Sequence, residues 1–308
     1  MAAGSTTGQK EAFDMNYSIG NHLLSAEIRS EGAELGSLKK DGLEYVWEAD
    51  PLHWGHSAPI LFPIVGGLKE GRTKIEGTSY AMAKHGFLRG RAFSLTQQSK
   101  HSVTLSTQSD AGTLAQYPYP FRFSVTFALE ESALITTYLV ENPSSSPMDF
   151  TLGAHPAFRC PLQPETGEKF SDFDLTFPVA QTADCPHVSQ DGVILTRHRR
   201  RMLEKEETLS LHQGLFYNDA LIFDQLTCRS ATLSSRKTGH GIRMDFDGFP
   251  FLGVWSPQSM TAPFVCLEPW LSMGVTEEEH TEEYLEKPGI QHLEGGRQAS
   301  FSFTLNVF

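Results

Sequence analysis

The sequence predicts an all-β protein, a large antiparallel β-sandwich with few short helices. Three observations carry this reading: short runs in which apolar and polar residues alternate, turn signals between those runs, and a scarcity of helical patterns. Period-two alternation sends one side of an extended chain into a core and the other toward solvent. Many short strands joined by tight turns pack as a sandwich or a barrel.

Taken along the chain, Met1 to Gly8 contains no positive segment followed by an apolar one, so no secretion signal is expected. Residues 1–15 read as a loose N-terminal segment and 16–308 as one domain, a length that a single β-sandwich accommodates. Lys40-Asp41-Gly42 is a turn signal. Ser57 to Gly67 is an apolar run closing on two glycines, which permit a tight turn or close backbone approach; no Gly-Lys-Ser/Thr follows, so it is not a phosphate-binding P-loop. Phe121, Phe123, Val125, Phe127 and Leu129 alternate with polar or small residues and predict a half-buried strand. Leu134–Val140 is a second β-rich run. Turns are expected at Gln190-Asp191-Gly192, at Thr238-Gly239-His240-Gly241 and at Asp247-Gly248. Phe301, Phe303, Leu305 and Val307 alternate with polar residues and predict a last strand. The one helix expected starts at Thr276, with Glu279 completing a capping box, and runs to Lys287 before Pro288-Gly289, its acidic face in solvent. Arg197-His198-Arg199-Arg200-Arg201, followed by Glu204, Glu206 and Glu207, reads as a surface loop, with a phosphate site as the alternative.

The chain has 308 residues and a net charge of -12, which argues against nucleic acid and anionic membrane as partners. No apolar stretch approaches the roughly 18 residues of a membrane span. The four cysteines, Cys160, Cys185, Cys228 and Cys266, form neither a CxxC pair nor a zinc pattern, and free thiols in a reducing cytoplasm are expected. His53 and His56 lack a partner cluster, so no metal is expected.

Three segments carry candidate chemistry. In Pro263-Phe264-Val265-Cys266-Leu267-Glu268-Pro269-Trp270, strand alternation puts Phe264, Cys266, Glu268 and Trp270 on one face. A carboxylate among aromatics is either an edge residue or a group whose pKa burial raises into a useful range, and Trp270 offers a sugar ring a stacking surface. In Phe150 to Phe158, His155 shares a face with Thr151, Gly153 and Ala157, small residues that leave room for a ligand. Both His155 and Glu268 precede Pro, which favours extended backbone. In Lys84-His85-Gly86-Phe87-Leu88-Arg89, extended geometry puts His85, Phe87 and Arg89 together, suited to hydroxyls or to a phosphate; alone, this triplet is as well explained structurally. Asn218 and Asp219 precede an apolar run and read as a turn before a strand.

Together these segments resemble the aldose 1-epimerase (galactose mutarotase-like) family, in particular its bacterial LacX-related branch. The residues that carry the resemblance are Ala58-Pro59-Ile60-Leu61-Phe62-Pro63-Ile64-Val65-Gly66, His85-Gly86-Phe87-Leu88-Arg89, Gly153-Ala154-His155-Pro156-Ala157-Phe158 and Cys266-Leu267-Glu268-Pro269-Trp270, in that order. The resemblance implies a mutarotase-like supersandwich, a sugar cleft, and neither metal nor redox cofactor. It places the family's general acid on His155, its general base on Glu268, its sugar-positioning His and Arg on His85 and Arg89, and its sugar-binding Asp on Asp219. Gly67 departs from the pattern, since many relatives carry an Arg there that contacts sugar. The activity implied is interconversion of aldohexose anomers. A hexose 6-phosphate epimerase is the alternative substrate reading, and a non-catalytic sugar sensor on the same fold is the alternative class.

Overall fold

The computed structural model describes residues 15–258, 262–279 and 283–308. The segment expected to be loose, 1–15, lies outside the described residues except for Met15. The predicted alternation folds as expected: Phe123, Val125, Phe127 and Leu129 are buried along the strand Arg122–Glu130, and the residues between them are more exposed. That strand lies antiparallel between Ser102–Gln108 and Ala133–Glu141. Ala133–Glu141 then pairs with Gln298–Val307, so the two runs read at 134–140 and 301–307 are neighbours. These strands belong to a nine-stranded antiparallel sheet, whose far edge is a long hairpin of Phe173–Val188 and Ile194–Ser210. Turn signals fall where hairpins need them: Asp41 and Gly42, both at positive φ, join Leu35–Lys40 to Leu43–Glu44, and Gly239 lies between Ser230–Ser235 and Gly241–Asp245.

A six-stranded sheet packs on the first. Its central strand is Phe264–Trp270, flanked by Phe251–Trp255 on one side and by Gly153–Ala154 and Ala157–Arg159 on the other. Val265 and Leu267 point inward, into one buried cluster with Phe158, Leu252 and Val254 of the same sheet and with Leu134, Tyr138 and Val140 of the nine-stranded sheet. Burying such a side chain contributes roughly 1.5–3 kcal/mol, so this shared core holds the two sheets face to face. Phe264, Cys266, Glu268 and Trp270 point the other way, as the alternation predicts. They are buried too, because loops cover the outer face of this sheet.

Two local readings are corrected. No α-helix forms from Thr276 among the described residues. Thr276 bridges Ile194, Glu283 bridges Lys74, and Tyr284–Glu286 is a single 3-10 turn. The reach-back bond of a capping box is made, from Thr276 N–H to Glu279 Oε1 at 3.1 Å. Glu279 also pairs with the buried Lys287 ammonium at 3.4 Å, and Tyr284 is buried. Those tertiary contacts outweigh a helix that would set Glu278 against Glu282 and Glu279 against Glu283 at i,i+4 spacing. The basic run is not a loop either, since Arg197–Arg201 lies on the strand Ile194–Ser210. Arg199 pairs with Asp224, Arg201 with Asp184, and Arg197 with Glu278 at 3.5 Å. Carboxylates therefore occupy the positive charge that a phosphate would need. All four cysteines are free thiols, as expected.

Two backbone crossings lock the loops over the outer face. At Gly66, with φ at 70°, an added Cβ would meet Gly274 Cα at 2.4 Å, and at Gly86, with φ at 74°, one would meet Phe62 O at 2.0 Å. Gly86→Ala is therefore expected to cost well over the roughly 1–2 kcal/mol of a left-handed Cβ alone, because the Phe62 carbonyl cannot retreat. Gly42→Ala, with φ at 81° and nothing within 4 Å, should cost only that first term. Chemical denaturation of the two variants checks the difference.

Candidate active site

Glu268 sits in the middle of the central strand, opposite Gly253, while Gly153 lies opposite Trp270. The glycines are required by packing. An added Cβ at Gly153 would meet Trp270 Cδ1 at 2.7 Å, and one at Gly253 would meet Trp270 Cζ2 at 2.5 Å. The Trp270 indole thus lies flat across both, forming one wall beside the carboxylate. His155 follows the short strand Gly153–Ala154, and its N–H donates to Pro59 O at 3.1 Å. Its Nε2 stands 3.1 Å from Glu268 Oε2. His155 is 7% exposed and Glu268 1%.

All six residues read from the sequence converge. His155, Glu268, His85, Arg89, Asp219 and Trp270 line one cleft of about 190 Å³. His85 has φ at 69° and Asp219 φ at 72°, left-handed conformations that cost energy in non-glycine residues and persist only where surroundings impose them. His85 is held by its backbone, since its N–H donates to Gly66 O at 2.8 Å and its carbonyl accepts from Phe62 N–H. Its Nδ1 accepts the Gly66 N–H at 3.1 Å, so the ring proton is on Nε2, free to donate. Asp219 is in the turn before the strand Leu221–Phe223, as its sequence context suggests, and faces Lys84 Nζ at 3.9 Å.

Sequence reasoning missed the aromatic cover. Trp54 lies over His155 with ring centroids 4.8 Å apart and planes 32° apart, and Trp255 meets the imidazole edge-on at 5.7 Å. His85 makes a third ring contact at 5.6 Å. The loop carrying Trp54 is tied down by Glu34, whose Oε1 accepts the Ser57 and Ala58 N–H groups at 2.8 and 2.9 Å. His56, considered above for metal, instead faces Glu34 at 3.6 Å. The role of Trp54 depends on strands more than a hundred residues away.

Burial sets the protonation of the central pair. It pushes the Glu268 carboxyl well above the usual carboxylate range, with the Asp219 charge adding and Lys84 opposing. It pushes His155 down to about 3, assisted by the charges of Lys84, His56 and Arg89. Burial and the neighbouring His155, Lys84 and Arg89 likewise hold His85 well below the ordinary histidine range. The two opposed shifts leave the His155–Glu268 pair holding one proton, carried by the carboxyl at rest. Two groups of this kind, 3.1 Å apart, can accept a proton from one ligand oxygen and donate one to another.

Comparison with known proteins agrees with the geometry. The sequence profile described as Aldose 1-epimerase matches residues 15–284. Protein LacX (chromosomal) of Lactococcus lactis subsp. lactis is 38% identical over 276 residues, covering 86% of this chain and 90% of that protein. Among solved structures, the galactose mutarotase related enzyme from Lactobacillus acidophilus superposes with a TM-score of 0.89 at 30% identity, covering 96% of this chain and 97% of that one. A galactose mutarotase-like protein from Lactobacillus casei ATCC 334 gives 0.83 at 29% identity, covering 96% of this chain and 100% of that one.

The one-proton pair has a consequence for stability. Unfolded, the carboxyl titrates near 4.5 and the imidazole near 6.5. Between those values both states hold one proton, and the pair contributes no pH dependence. Above pH 6.5 the unfolded chain holds none, so stability falls as pH rises toward the raised Glu268 value, by up to about 1.4 kcal/mol per pH unit. Below pH 4.5 the unfolded chain holds two, and stability falls as pH falls toward the depressed His155 value. Glu268→Gln removes the carboxyl's own contribution, a loss of stability that begins as pH rises past 4.5. Melting temperatures from pH 5 to 9 should show the variant gaining on the wild type as pH rises from the start of that range; parallel curves would contradict the raised carboxyl.

Proposed function

The chain belongs to the aldose 1-epimerase family, and we propose that it interconverts the α and β anomers of a free aldohexose by acid–base opening and closure of the sugar ring. The observation that carries this reading is the contact of His155 Nε2 with Glu268 Oε2 at 3.1 Å on the floor of a cleft lined by further polar side chains.

Glu268, as the base, takes the proton of the C1 hydroxyl while His155, as the acid, protonates the ring oxygen. The bond from C1 to the ring oxygen breaks, the C1–C2 bond rotates, and closure on the opposite face returns both protons. Ring opening in this sense turns an imidazolium–carboxylate pair into a neutral imidazole–carboxyl pair, the state that burial favours. The same burial makes the imidazolium–carboxylate form the scarce one at rest, so the proton carried by Glu268 must first move to His155. His85 Nε2–H donates to a sugar hydroxyl, Arg89 donates and Asp219 accepts at others, and the Trp270 indole supplies the apolar wall. The placement of Lys84 and Arg89 on the same cleft supports a second substrate reading, a hexose 6-phosphate. Lys84 already faces Asp219, which favours the neutral sugar.

Glu268→Gln, which keeps the shape but cannot take the proton, should lower the polarimetric rate by about 10²-fold or more in a folded protein. His155→Asn should lose a similar factor. Wild-type rates per folded molecule in either variant would remove that residue from the mechanism.

Glucose and galactose should be preferred to their 6-phosphates in kcat/KM. A preference for the phosphate beyond about tenfold, roughly 1.4 kcal/mol in transition-state binding, would reverse the substrate reading. Sugar binding without turnover would replace the enzyme by a sensor.

A further inference from the structure

The titratable pair has a third neighbour that ring opening does not use. Cys266 precedes Glu268 by two residues on the same face of the strand Phe264–Trp270, so its thiol projects beside the carboxylate. Across the ladder it is paired with Ala157, two residues beyond His155, and that small side chain lets imidazole and thiol approach. A ring nitrogen of His155, Sγ of Cys266 and a carboxylate oxygen of Glu268 all lie within 4.8 Å of one another, and all three residues are buried. His155 Nδ1 and Glu268 Oε2 have no hydrogen-bond partner among the described residues.

We propose that this floor is a binding site for a thiophilic divalent cation such as Zn²⁺ or Cd²⁺, held by His155, Cys266 and Glu268, and that the bound ion excludes sugar from the cleft. One nitrogen, one sulfur and one carboxylate oxygen form a zinc donor set that leaves a fourth position open toward the cleft. Zinc bonds of about 2.0–2.3 Å put tetrahedral donors roughly 3–4 Å apart, so the widest separation has to close by only about 1 Å. The thiolate selects zinc or cadmium over magnesium and calcium.

Charge supplies the driving force. Burial pushes both the Cys266 thiol and the Glu268 carboxyl well up, because a bare anion there lacks a counter-charge. A divalent ion provides two positive charges, and the complex with thiolate, carboxylate and neutral imidazole carries none. Binding forms one bond each to nitrogen, sulfur and oxygen and releases two protons to solvent, from Cys266 and from the His155–Glu268 pair. Affinity therefore falls about 100-fold per unit of falling pH while both protons are in place. Exclusion of sugar rests on the functional reading above; binding of the ion does not.

The test titrates Cd²⁺ into the wild type and into Cys266→Ala and Cys266→Ser. It follows the ultraviolet thiolate-to-cadmium absorption and the calorimetric stoichiometry, with Mg²⁺ as the control. The wild type should develop the band to one equivalent, and both variants should lose that increment. Cys228, a half-exposed free thiol, is common to all three proteins and cancels in the comparison. In polarimetry, Zn²⁺ should inhibit the wild type, and the Cys266 variants, with uninhibited rates within a few-fold of it, should need at least about ten times more, 1.4 kcal/mol in binding. Absence of the band in the wild type, or the same band and inhibition in Cys266→Ala, overturns the proposal. If the wild type turns over no sugar, the cadmium band still decides the metal site, and the failure belongs to the functional reading.

Discussion

The structure is organised by one constraint: a carboxyl and an imidazole are kept in contact where water cannot stabilise charge on either. Glu268 is 1% exposed on the central strand of a sheet, and nothing in a β-ladder supplies a counter-ion there. The surroundings answer this in two ways. His155 is placed within 3.1 Å, so that one proton serves both groups. Aromatic rings, Trp54, Trp255 and Trp270, close over the pair and keep the local dielectric low. The glycines opposite Glu268 and Trp270, and the loop tied by Glu34, exist in this fold to let those rings lie where they do.

Much of this was legible in the sequence because strands make faces predictable. Alternation along Phe264–Trp270 separated Val265 and Leu267, which fill the core, from Cys266, Glu268 and Trp270 on the other face, where Glu268 and Trp270 line the cleft and Cys266 is buried beside them. The same rule sorted Ala154 from Gly153 and His155. His85 and Arg89 were read together from extended geometry, but the segment is not extended: His85 and Gly86 are at positive φ and Leu88–Gly90 is a 3-10 turn. Their roles and that of Asp219 came from the family resemblance, and their convergence needed the fold. What stayed hidden was tertiary. Trp54 reaches His155 through a loop whose anchor, Glu34, stands just before Leu35–Lys40, a strand of a different sheet. The segment after Thr276 carries a helix-start pattern, yet Glu279 spends its carboxylate on Lys287, a partner that local propensity does not weigh. The arginines at 197–201 looked free because Asp184 and Asp224 are distant in sequence.

The relatives sharpen what the site means. Kinship with LacX and with mutarotase-related structures fixes the family and the sandwich. It leaves the sugar to be decided by the rim, where Lys84, Arg89 and Asp219 differ in charge from the neutral floor below them. Gly67 lines that same cleft and brings no charge to it. At the rim, Lys84 is partly neutralised by Asp219 at 3.9 Å.

The contact of Gly66 with Gly274 has a kinetic consequence. It joins two walls of the cleft, more than two hundred residues apart in sequence, with no side chain between them to act as a spacer. Walls joined backbone to backbone cannot swing apart as lobes do, so admission of a ligand falls to the side chains at the mouth. Lys84 and Asp219 are exposed enough to change rotamer there, on timescales of picoseconds to nanoseconds rather than the microseconds to milliseconds of collective opening. For the anomer interconversion proposed above, whose substrate and product differ only at one carbon, a cleft of fixed shape suffices.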